Sequence, residues 1–384
     1  MGNLNHKTFT IAYDAKRAFC NNTGLGNYSR TLIKMMIEQH QEMNFILFTP
    51  DIKLDQFEKE ISSFKNVRIV QPEIYFFRLF PFLWRTYSIT SLVKKNKPNV
   101  FHGLSHELPV GIEKINVRTI VTIHDLIAFK SENGFGWLNR LIYRNKIKSS
   151  VRRADRVVAV SQQTSNELNK ILKVSPKKIK VVYPFFKMDI LNNHFIQSES
   201  SFQSSLPEKF IFQVGRVEYR KNISAVIDAI ALLPSSDINY VIAGRITSYK
   251  DELDKKIKSL GLTGRVHFLG EVSQQKLYFL YQQSLLAIYP SLMEGFGFPV
   301  LEAIALKKPV ITNQGGCFEE VGGTIAWYSD TTNPNSIAAV IQEIIDHPEK
   351  VMDKQKDTET HLHQFSASVI LSQLLACYTE DNQA

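Results

Sequence analysis

Short apolar runs alternate with stretches of helical periodicity along most of the chain. Most of these runs end at a glycine, a proline or a polar residue. This alternation predicts parallel β-sheets covered by helices on both faces, the α/β class. The predicted strands lie at residues 9–13, 44–48, 67–70, 117–123, 210–214, 239–243, 266–269 and 285–289.

The periodicity is lost between residues 183 and 209, where serine, asparagine and proline accumulate. Such a composition is typical of a linker. We therefore predict two domains, residues 1–190 and 209–361, joined by a linker at residues 191–208. A chain of 384 residues with 44% hydrophobic content is long enough to bury two separate cores.

The most informative stretch is residues 289–302, Tyr-Pro-Ser-Leu-Met-Glu-Gly-Phe-Gly-Phe-Pro-Val-Leu-Glu. It follows an apolar run, and Pro299 suits the first position of a helix, which predicts a strand, a loop and a helix. Gly297 lets the loop backbone approach a ligand, and the N–H groups at the helix start favour a phosphate. Glu294 in the loop and Glu302 in the first helical turn offer acceptors to hydroxyl groups. A nucleotide sugar carries both phosphate and hydroxyl groups.

The alternative for these glutamates is that Glu302 only complements the helix dipole and that Glu294 is a solvated loop residue. Their spacing, with Gly-Phe-Gly-Phe-Pro between them, resembles the paired-glutamate motif of the retaining family 4 glycosyltransferases. That family has the GT-B fold, with two Rossmann-like doubly wound parallel-sheet domains facing a central cleft. The resemblance implies that Glu294 holds the transferred sugar and Glu302 the ribose. It also implies an N-terminal acceptor-binding domain, a C-terminal donor-binding domain, and a last helix, about 362–384, that crosses back to the N-terminal domain.

A glycine turn followed by basic residues opens the second domain, where Gly215, Arg216 and Lys221 follow the apolar run at 210–214. A guanidinium binds two oxygens at once and an ammonium adds a point charge, which suits a diphosphate; surface ion pairs are the alternative. The segment resembles the diphosphate clamp of the same family. The resemblance implies catalytic and donor-binding roles for Arg216 and Lys221, and none for Arg220.

Further donor-binding positions are predicted in glycine-containing turns. Gly24 and Gly26 lie between the first strand and a helix, where backbone N–H groups can contact a phosphate or a sugar. NAD binding is disfavoured, because Ser29 stands where the dinucleotide fingerprint needs a third glycine. In the resembling family this loop faces the donor. The other predicted contacts to the base or the transferred sugar are Gly270, Val272, Phe296, Gly297 and Phe298.

Histidines lie near the ends of two predicted strands in the first half: His102, His106 and His124. Ligands of doubly wound sheets bind at the carboxyl ends of strands, although a single histidine is more often structural. Residues 122–126, Thr-Ile-His-Asp-Leu, resemble the family segment whose histidine approaches the donor sugar, which implies an active-site role for His124. No i, i+4 histidine pair on a predicted helix supports a metal site, so we expect no metal and no other cofactor.

The charge is distributed unevenly. Residues 1–195 carry 30 Lys and Arg against 15 Asp and Glu (+15), whereas residues 196–384 carry 16 against 22 (−6). A basic half can meet nucleic acid or an anionic membrane surface, and we expect the membrane and no nucleic acid. The aromatic-rich residues 74–93 predict a surface that enters lipid or receives a lipid-linked acceptor, with an ordinary packed helix as the alternative. The basic residues around it are Lys94, Lys95, Lys97, Arg140, Arg144, Lys146, Lys148, Arg152 and Arg153.

Other features of the sequence bear on localisation. Pro81, Arg78 and Arg85 exclude a membrane-spanning helix at residues 74–93, since such a helix needs ~20 mostly apolar residues. The three cysteines are widely spaced without a metal pattern, and the N-terminus lacks an apolar signal core. These features predict a cytoplasmic protein that can be peripheral on the inner face of the membrane.

The predicted function is a retaining hexosyltransferase. Negative charge grows on the diphosphate as the anomeric bond breaks, and Arg216, Lys221 and the helix start stabilise that charge. GDP-mannose is favoured over UDP-hexoses as donor. This preference rests on the resemblance, because near-relatives in that family share the Gly-x-Gly-Asn-Tyr sequence found here at residues 24–28. The acceptor is a glycan or a lipid-linked glycan of a bacterial-type surface polysaccharide. A nucleotide-sugar epimerase, a sugar phosphorylase and a non-catalytic carbohydrate- or nucleic-acid-binding protein remain alternatives.

Overall fold

The computed structural model describes residues 9–74, 77, 79–130, 137–186, 206–235 and 237–380. The chain divides into two compact units. Unit 1 contains residues 1–185 and 367–384, and unit 2 contains residues 186–366. Most of the predicted linker at residues 191–208 lies outside the described residues. Each unit is built on a parallel sheet, so the predicted α/β class with two doubly wound sheets is confirmed.

The described part of unit 1 contains a seven-stranded parallel sheet. Its strands are β1 (Thr10–Asp14), β2 (Asn44–Phe48), β3 (Val67–Val70), β4 (Val100–Gly103), β5 (Arg118–Ile123), β6 (Arg156–Ala159) and β7 (Ile179–Val181). Their order in the sheet is β3-β2-β1-β4-β5-β6-β7. The order reverses beside β1, which is typical of doubly wound sheets and marks the edge where such folds bind ligands.

Alternate residues of these strands enter two hydrophobic cores, because successive side chains point to opposite faces of a sheet. Ile11 and Tyr13 of β1 belong to one core, and Ala12 belongs to the other. The helices that cover the two faces are α1 (Lys16–Cys20), α2 (Gly24–Gln39), α3 (Asp55–Ser62), α4 (Pro81–Leu83), α5 (Ile89–Asn96), α6 (Trp137–Arg153) and α7 (Gln162–Leu172). Ser161 caps α7 by accepting a hydrogen bond from the Thr164 N–H (3.0 Å).

Unit 2 contains a sheet of six parallel strands among its described residues. They are β8 (Phe210–Val214), β9 (Asn239–Ala243), β10 (Val266–Gly270), β11 (Leu286–Tyr289), β12 (Val310–Asn313) and β13 (Trp327–Ser329), in the order β10-β9-β8-β11-β12-β13. The helices are α8 (Ile223–Leu232), α9 (Tyr249–Ser259), α10 (Gln274–Gln283), α11 (Phe298–Ala305), α12 (Cys317–Gly322), α13 (Pro334–Asp346), α14 (Pro348–Gln355) and α15 (Thr358–His363).

The last helix, α16 (Ala367–Thr379), belongs to unit 1 although it follows unit 2 in the chain. Leu371 and Leu374 are buried in the core that also contains β1. The Tyr378 hydroxyl lies 2.8 Å from Nδ1 of His102 and 3.2 Å from the hydroxyl of Tyr13. Unit 1 is therefore completed by a helix that follows unit 2 in the chain.

Two helices begin where glycine disfavours a helix. α2 begins at Gly24, so the two glycines predicted to lie between the first strand and the helix are already in its first turn. α12 begins at Cys317, directly after Gly315 and Gly316. Glycine lies at or directly before the start of both helices and has low helix propensity, so the local sequence disfavours helices that the tertiary structure stabilises.

The aromatic-rich segment before α5 is partly exposed and partly buried. A π-helical turn, Trp84–Ser88, connects α4 to α5, and Trp84 is buried while Phe82 and Tyr87 are exposed. Residues 75, 76 and 78 of the predicted surface lie outside the described residues. Among the described residues, no helix combines the length and the apolar character that crossing a membrane requires.

Candidate active site

Glycines end three neighbouring strands of unit 2 at the carboxyl edge of its sheet. Gly215 follows β8 and Gly244 follows β9, while Gly270 is the last residue of β10. The Gly244 N–H donates to the Gly270 carbonyl at 2.7 Å. A Cβ on Gly244 would lie 2.1 Å from the Gly215 carbonyl oxygen, and its φ of +145° is unfavourable for other residues. The two strand ends can therefore approach each other only with glycine at position 244.

The loop at residues 290–297 connects β11 to α11 on the same edge. Gly297 is the N-cap of α11, so Phe298 is the first residue of the helix and Pro299 the second. The prediction of Pro299 at the first position was wrong by one residue. Glu302 accordingly lies in the second turn of α11 and not in the first, which weakens its interaction with the helix dipole.

Glu294 is held by three donors, all of which contact one carboxylate oxygen, Oε1. Lys221 Nζ lies at 2.7 Å, Arg220 Nη1 at 2.6 Å and the Tyr289 hydroxyl at 2.9 Å. Burial alone would raise the pKa of Glu294, but the charges of Lys221 and Arg220 hold it below its ordinary value. Glu294 is therefore an ionised, fixed carboxylate, and the alternative of a solvated loop residue is wrong.

Lys221 is a nearly buried cation beneath the loop. Its side chain is 9% exposed, and Nζ also donates to the Tyr289 hydroxyl at 2.5 Å and lies 4.5 Å from the centre of that ring. Burial lowers the pKa of Lys221, while Glu294 opposes this shift. A Cβ on Gly215 would lie 3.1 Å from Cε of Lys221, so the glycine turn leaves space for this side chain.

The two arginines near Lys221 differ in their exposure and in their partners. Arg216 is 56% exposed and lies 3.7 Å from Glu218. Arg220, for which no role was predicted, contacts Glu294 and lies 2.7 Å from Glu218. The short 3₁₀ helix Tyr219–Lys221 presents residues 220 and 221 to the same loop, which spacing along the sequence does not show.

Glu302 is half-buried and accepts a hydrogen bond from the Tyr281 hydroxyl at 3.0 Å. Burial raises the pKa of Glu302 to about 6, and the hydrogen bond from Tyr281 only partly offsets this. The two glutamates therefore differ in their environments, because Glu294 faces two cations and Glu302 faces a neutral phenol. This difference was not visible in their shared motif.

The other predicted positions of unit 2 differ in exposure. Phe296 is buried, with its ring centre 5.2 Å from that of Phe298 and 5.8 Å from that of Phe365. The side chain of Phe296 thus anchors the loop at residues 290–297 by packing against these two rings. Val272 is half-buried and follows Gly270 at the edge strand β10.

The two glycines predicted in unit 1 lie in the first turn of α2. A Cβ on Gly26 would lie 1.8 Å from the Asn21 carbonyl oxygen, whereas nothing lies within 4 Å of a Cβ on Gly24. Gly26 is therefore required by close packing of its own backbone against the turn that precedes α2. This structural requirement accounts for Gly26 without a ligand.

His124 follows β5 at the carboxyl edge of the unit 1 sheet and is half-buried. Its Nε2 lies 2.9 Å from the Leu104 carbonyl, which can only accept, so the proton is on Nε2 and Nδ1 is an acceptor. Its ring packs edge-on against Tyr28, with the ring centres 4.6 Å apart. Burial and the neighbouring His106 lower the pKa of His124 to about 3, so the ring is neutral.

A buried group of charges near this edge was missed by sequence reasoning. Arg85 Nε lies 2.5 Å from Asp14, and its Nη1 lies 2.9 Å from Glu107, which also contacts Lys146 at 3.2 Å. Burial would raise the pKa of Glu107, but Arg85 and Lys146 lower it to about 2. Arg85 and Lys146 are therefore partners of internal carboxylates, and the Lys146 side chain is at the same time 41% exposed.

The other two histidines named from the sequence, His102 and His106, are internal. His102 Nε2 lies 2.8 Å from the Thr122 hydroxyl, and His102 is completely buried. His106 is 1% exposed and has a left-handed φ of 63°. In the part of the chain that the structure describes, no group of three or more His, Cys, Asp or Glu side chains is arranged to hold a metal ion.

Comparison with known families covers both units. Residues 22–189 match the family described as Glycosyltransferase Family 4, and residues 196–360 match the one described as Glycosyl transferases group 1. The chain belongs to the family 4 glycosyltransferases. The family and the GT-B fold expected from the paired glutamates are thereby confirmed.

Several relatives of this glycosyltransferase have assigned names or solved structures. It is 29% identical over 278 residues to the O-antigen chain mannosyltransferase RfbU of Salmonella typhimurium, covering 71% of this chain and 74% of that protein. It is 24% identical over 342 residues to the O-antigen chain mannosyltransferase B of Escherichia coli, covering 84% and 87%. The structure of Anabaena HepE in complex with UDP and glucose matches with a TM-score of 0.71 at 17% identity, covering 96% and 98%, and this likeness shows the fold.

Proposed function

We propose that this glycosyltransferase transfers mannose from a nucleotide-diphosphate sugar to a glycan or lipid-linked glycan, with retention of the anomeric configuration, in the synthesis of a surface polysaccharide. The observation that carries the proposal is the state of Glu294. The contacts of Lys221, Arg220 and Tyr289 are all made to its Oε1, which leaves Oε2 as the oxygen on which these three donors do not converge. An ionised carboxylate with one fixed and one available oxygen can accept a hydrogen bond from a sugar hydroxyl in a defined orientation.

The positive charges beside Glu294 suit a leaving diphosphate. Lys221 is nearly buried at the carboxyl edge of the sheet, and Arg216 is exposed enough to close onto a bound ligand. As the bond between the anomeric carbon and the diphosphate oxygen breaks, both side chains stabilise the charge that grows on that oxygen. Removing one such preorganised contact typically lowers kcat by ~10² to 10³.

Glu302 is proposed to accept hydrogen bonds from the ribose hydroxyls of the nucleotide. Tyr281 occupies one of its oxygens and fixes the carboxylate. In unit 1, the Nδ1 acceptor of His124 is proposed to contact a hydroxyl of the transferred sugar. The donor-binding role of unit 2 and the acceptor-binding role of unit 1 are part of the same proposal.

The reaction is proposed to proceed without a carboxylate nucleophile. The acceptor oxygen bonds to the anomeric carbon on the face that the diphosphate leaves, and the acceptor proton passes to a diphosphate oxygen. Since Arg216 and Lys221 supply the positive charge, we expect transfer without a metal ion. Activity that is unchanged by a chelator supports this expectation, and activity that depends on added Mg²⁺ or Mn²⁺ contradicts it.

The names of the two mannosyltransferase relatives favour mannose as the transferred sugar, and we propose GDP-mannose as its donor, while the HepE structure contains UDP. Melting temperatures with GDP and with UDP distinguish the two, because a ligand at 100 times its Kd stabilises the folded state by ~2.7 kcal/mol. A shift with GDP supports mannose transfer. A shift with UDP alone replaces the donor, and the absence of any shift contradicts a nucleotide-binding unit 2.

Turnover itself separates the enzyme from its alternatives. We expect radiolabelled GDP-mannose to be converted to GDP with transfer or slow hydrolysis, and proton NMR of the product to show the α-configuration of the donor. A non-catalytic binder releases no nucleotide diphosphate. Glu294→Gln, which keeps the shape of the side chain, is the matched inactive control.

Association with an anionic membrane surface is also proposed, on exposed apolar residues of unit 1. At the start of α6 these are Trp137, Leu138, Leu141 and Ile142, which are 48% to 75% exposed, and Lys148 and Arg152 follow on the same helix. Exposed apolar side chains that lie near basic ones bind anionic lipid through both apolar burial and charge.

Flotation with vesicles at low and high salt tests this association. We expect the wild type to float with anionic vesicles and Trp137→Ser/Leu141→Ser to lose binding. Met352→Ser, which removes an exposed apolar side chain of unit 2, is the matched control and should bind as the wild type does. Equal flotation of all three proteins contradicts the assignment to α6.

A further inference from the structure

We propose that Arg220 is a positioning residue, which holds the Glu294 carboxylate and supplies its counter-charge while a donor is bound. The inference rests on the proposed function of Glu294 and Lys221 and assigns a role to a side chain that their motif does not include. It rests on three observations. These are the contacts of Arg220, the position of Lys221 between two possible partners (Glu294 and the diphosphate), and the geometry of the Glu294 carboxylate.

The guanidinium of Arg220 engages three oxygens of the protein. Nη1 lies 2.6 Å from Glu294 Oε1 and donates to the Met293 carbonyl at 2.8 Å, while Nη2 lies 2.7 Å from Glu218. The backbone of Arg220 is also tied to the loop, because its carbonyl accepts from the Leu292 N–H at 3.0 Å. Arg220 thus joins the 3₁₀ turn after β8 to the loop that carries Glu294.

The Lys221 ammonium group cannot bind the Glu294 carboxylate and a diphosphate equally well at the same time. Its Nζ lies 2.7 Å from Glu294 Oε1, the same oxygen that Arg220 contacts. When Nζ turns to a diphosphate, its interaction with Glu294 weakens, and a nearly buried carboxylate without a counter-charge is strongly disfavoured. Arg220 differs, because both of its terminal nitrogens, Nη1 and Nη2, already contact oxygens of the protein.

The geometry also decides which carboxylate oxygen is presented to the sugar. All three donors converge on Oε1, and Oε2 remains for a hydroxyl group. A planar guanidinium can hold a carboxylate and a carbonyl at once, which a lysine ammonium does not reproduce in the same orientation. Arginine therefore supplies both the charge and the orientation, whereas a lysine at this position supplies only the charge.

The kinetic test compares Arg220→Met, Arg220→Lys and Arg216→Met with the wild type. In Arg220→Met we expect kcat to fall about 10²-fold, the usual loss for one preorganised charge contact, while the Kd for the nucleotide diphosphate stays near the wild-type value. The acidic limb of the kcat profile should move to higher pH, because Glu294 then protonates more easily. Arg220→Lys should recover part of the loss, whereas Arg216→Met should weaken nucleotide binding.

Lys209→Met, which breaks an exposed ion pair with Asp237 in the same unit, is the control and should change none of these quantities. If Arg220→Met weakens nucleotide binding as much as Arg216→Met, Arg220 is a phosphate ligand and the proposal is wrong. An unchanged kcat and an unchanged pH profile in Arg220→Met overturn it as well.

A second measurement does not depend on activity. Carbon-13 NMR of labelled glutamate, with Glu294 assigned through Glu294→Gln, reports the titration of this carboxyl group with and without GDP or UDP. In the wild type we expect the pKa of Glu294 to stay low with nucleotide bound, and in Arg220→Met to rise, most strongly with nucleotide. If the wild type neither binds nucleotide nor turns over donor, the proposed function fails, while the titration without nucleotide still decides whether Arg220 controls Glu294.

Discussion

At the residue scale, the two motif glutamates should respond differently to substitution. Glu294→Gln removes the charge that Lys221 and Arg220 face and the acceptor for the sugar, so we expect transfer to fall by ~10² or more with little change in nucleotide affinity. Glu302→Gln should instead weaken nucleotide binding. Calorimetric titration with the nucleotide diphosphate, together with turnover, checks both. If both variants bind the nucleotide diphosphate and turn over the donor as the wild type does, the assignment is wrong.

The raised pKa of Glu302 predicts a pH-dependent stability. Burial raises this pKa from 4.5 to about 6, so between these values the folded protein binds a proton that the unfolded chain has released. The contribution to the free energy of unfolding is complete below the unfolded pKa and is lost as the pH rises through the folded pKa. Glu302→Gln should remove this dependence.

Melting temperatures of wild type and Glu302→Gln between pH 4 and pH 7 test the sign. We expect the variant to gain stability relative to the wild type as the pH rises through this window. A difference that does not vary with pH is incompatible with a raised pKa. Other carboxylates titrate in both proteins, and the comparison cancels them.

The residue scale also shows the limit of prediction from sequence. Glu294, Glu302, Lys221 and Arg216 were found because a motif places them at fixed spacing. Arg220 was not, because its role depends on a 3₁₀ turn and on a distant loop that carries Met293 and Glu294. The pairing of Arg85 with Asp14 was missed for the same physical reason, since a long-range ion pair leaves no local pattern.

At the element scale, the two glycines at the start of α2 allow a packing role to be distinguished from a ligand-binding role. Gly26→Ala places a Cβ 1.8 Å from a backbone oxygen that cannot move freely, so we expect a destabilisation of about 1–3 kcal/mol or more. Gly24→Ala meets nothing within 4 Å and is the matched control, with an expected change of at most about 1 kcal/mol in the stabilising direction. Urea unfolding of both variants measures the difference. Equal stability of the two contradicts the packing role.

Strands were easier to predict than helix boundaries. β2, β3, β8 and β9 have the predicted bounds, because a buried parallel strand is a short continuous apolar run between polar residues. The helices at 24–39 and 317–322 begin at or directly after glycines. Glycines at such positions predict a loop when only the local sequence is considered. Their helical start depends on tertiary contacts that the local sequence does not encode.

At the scale of the whole molecule, the return of α16 couples the last helix to the stability of unit 1. Leu374 is completely buried there, so Leu374→Ala should cost about 2–5 kcal/mol. Ser372→Ala on the exposed side of the same helix is the control and should leave the stability nearly unchanged. Hydrogen exchange should show the lost protection in residues 9–185. A loss confined to residues 206–366 would falsify the assignment of this helix to unit 1.

The same connection determines when unit 1 can be finished during synthesis. Its core lacks Leu371, Leu374 and Tyr378 until the ribosome has translated the whole of unit 2, residues 186–366. At ~5–20 residues per second, this takes roughly 10 to 40 s. Throughout that time the first 185 residues present an uncovered apolar face, while unit 2 becomes complete first. The nascent N-terminal half is therefore expected to be a client of ribosome-associated chaperones, although it is made first.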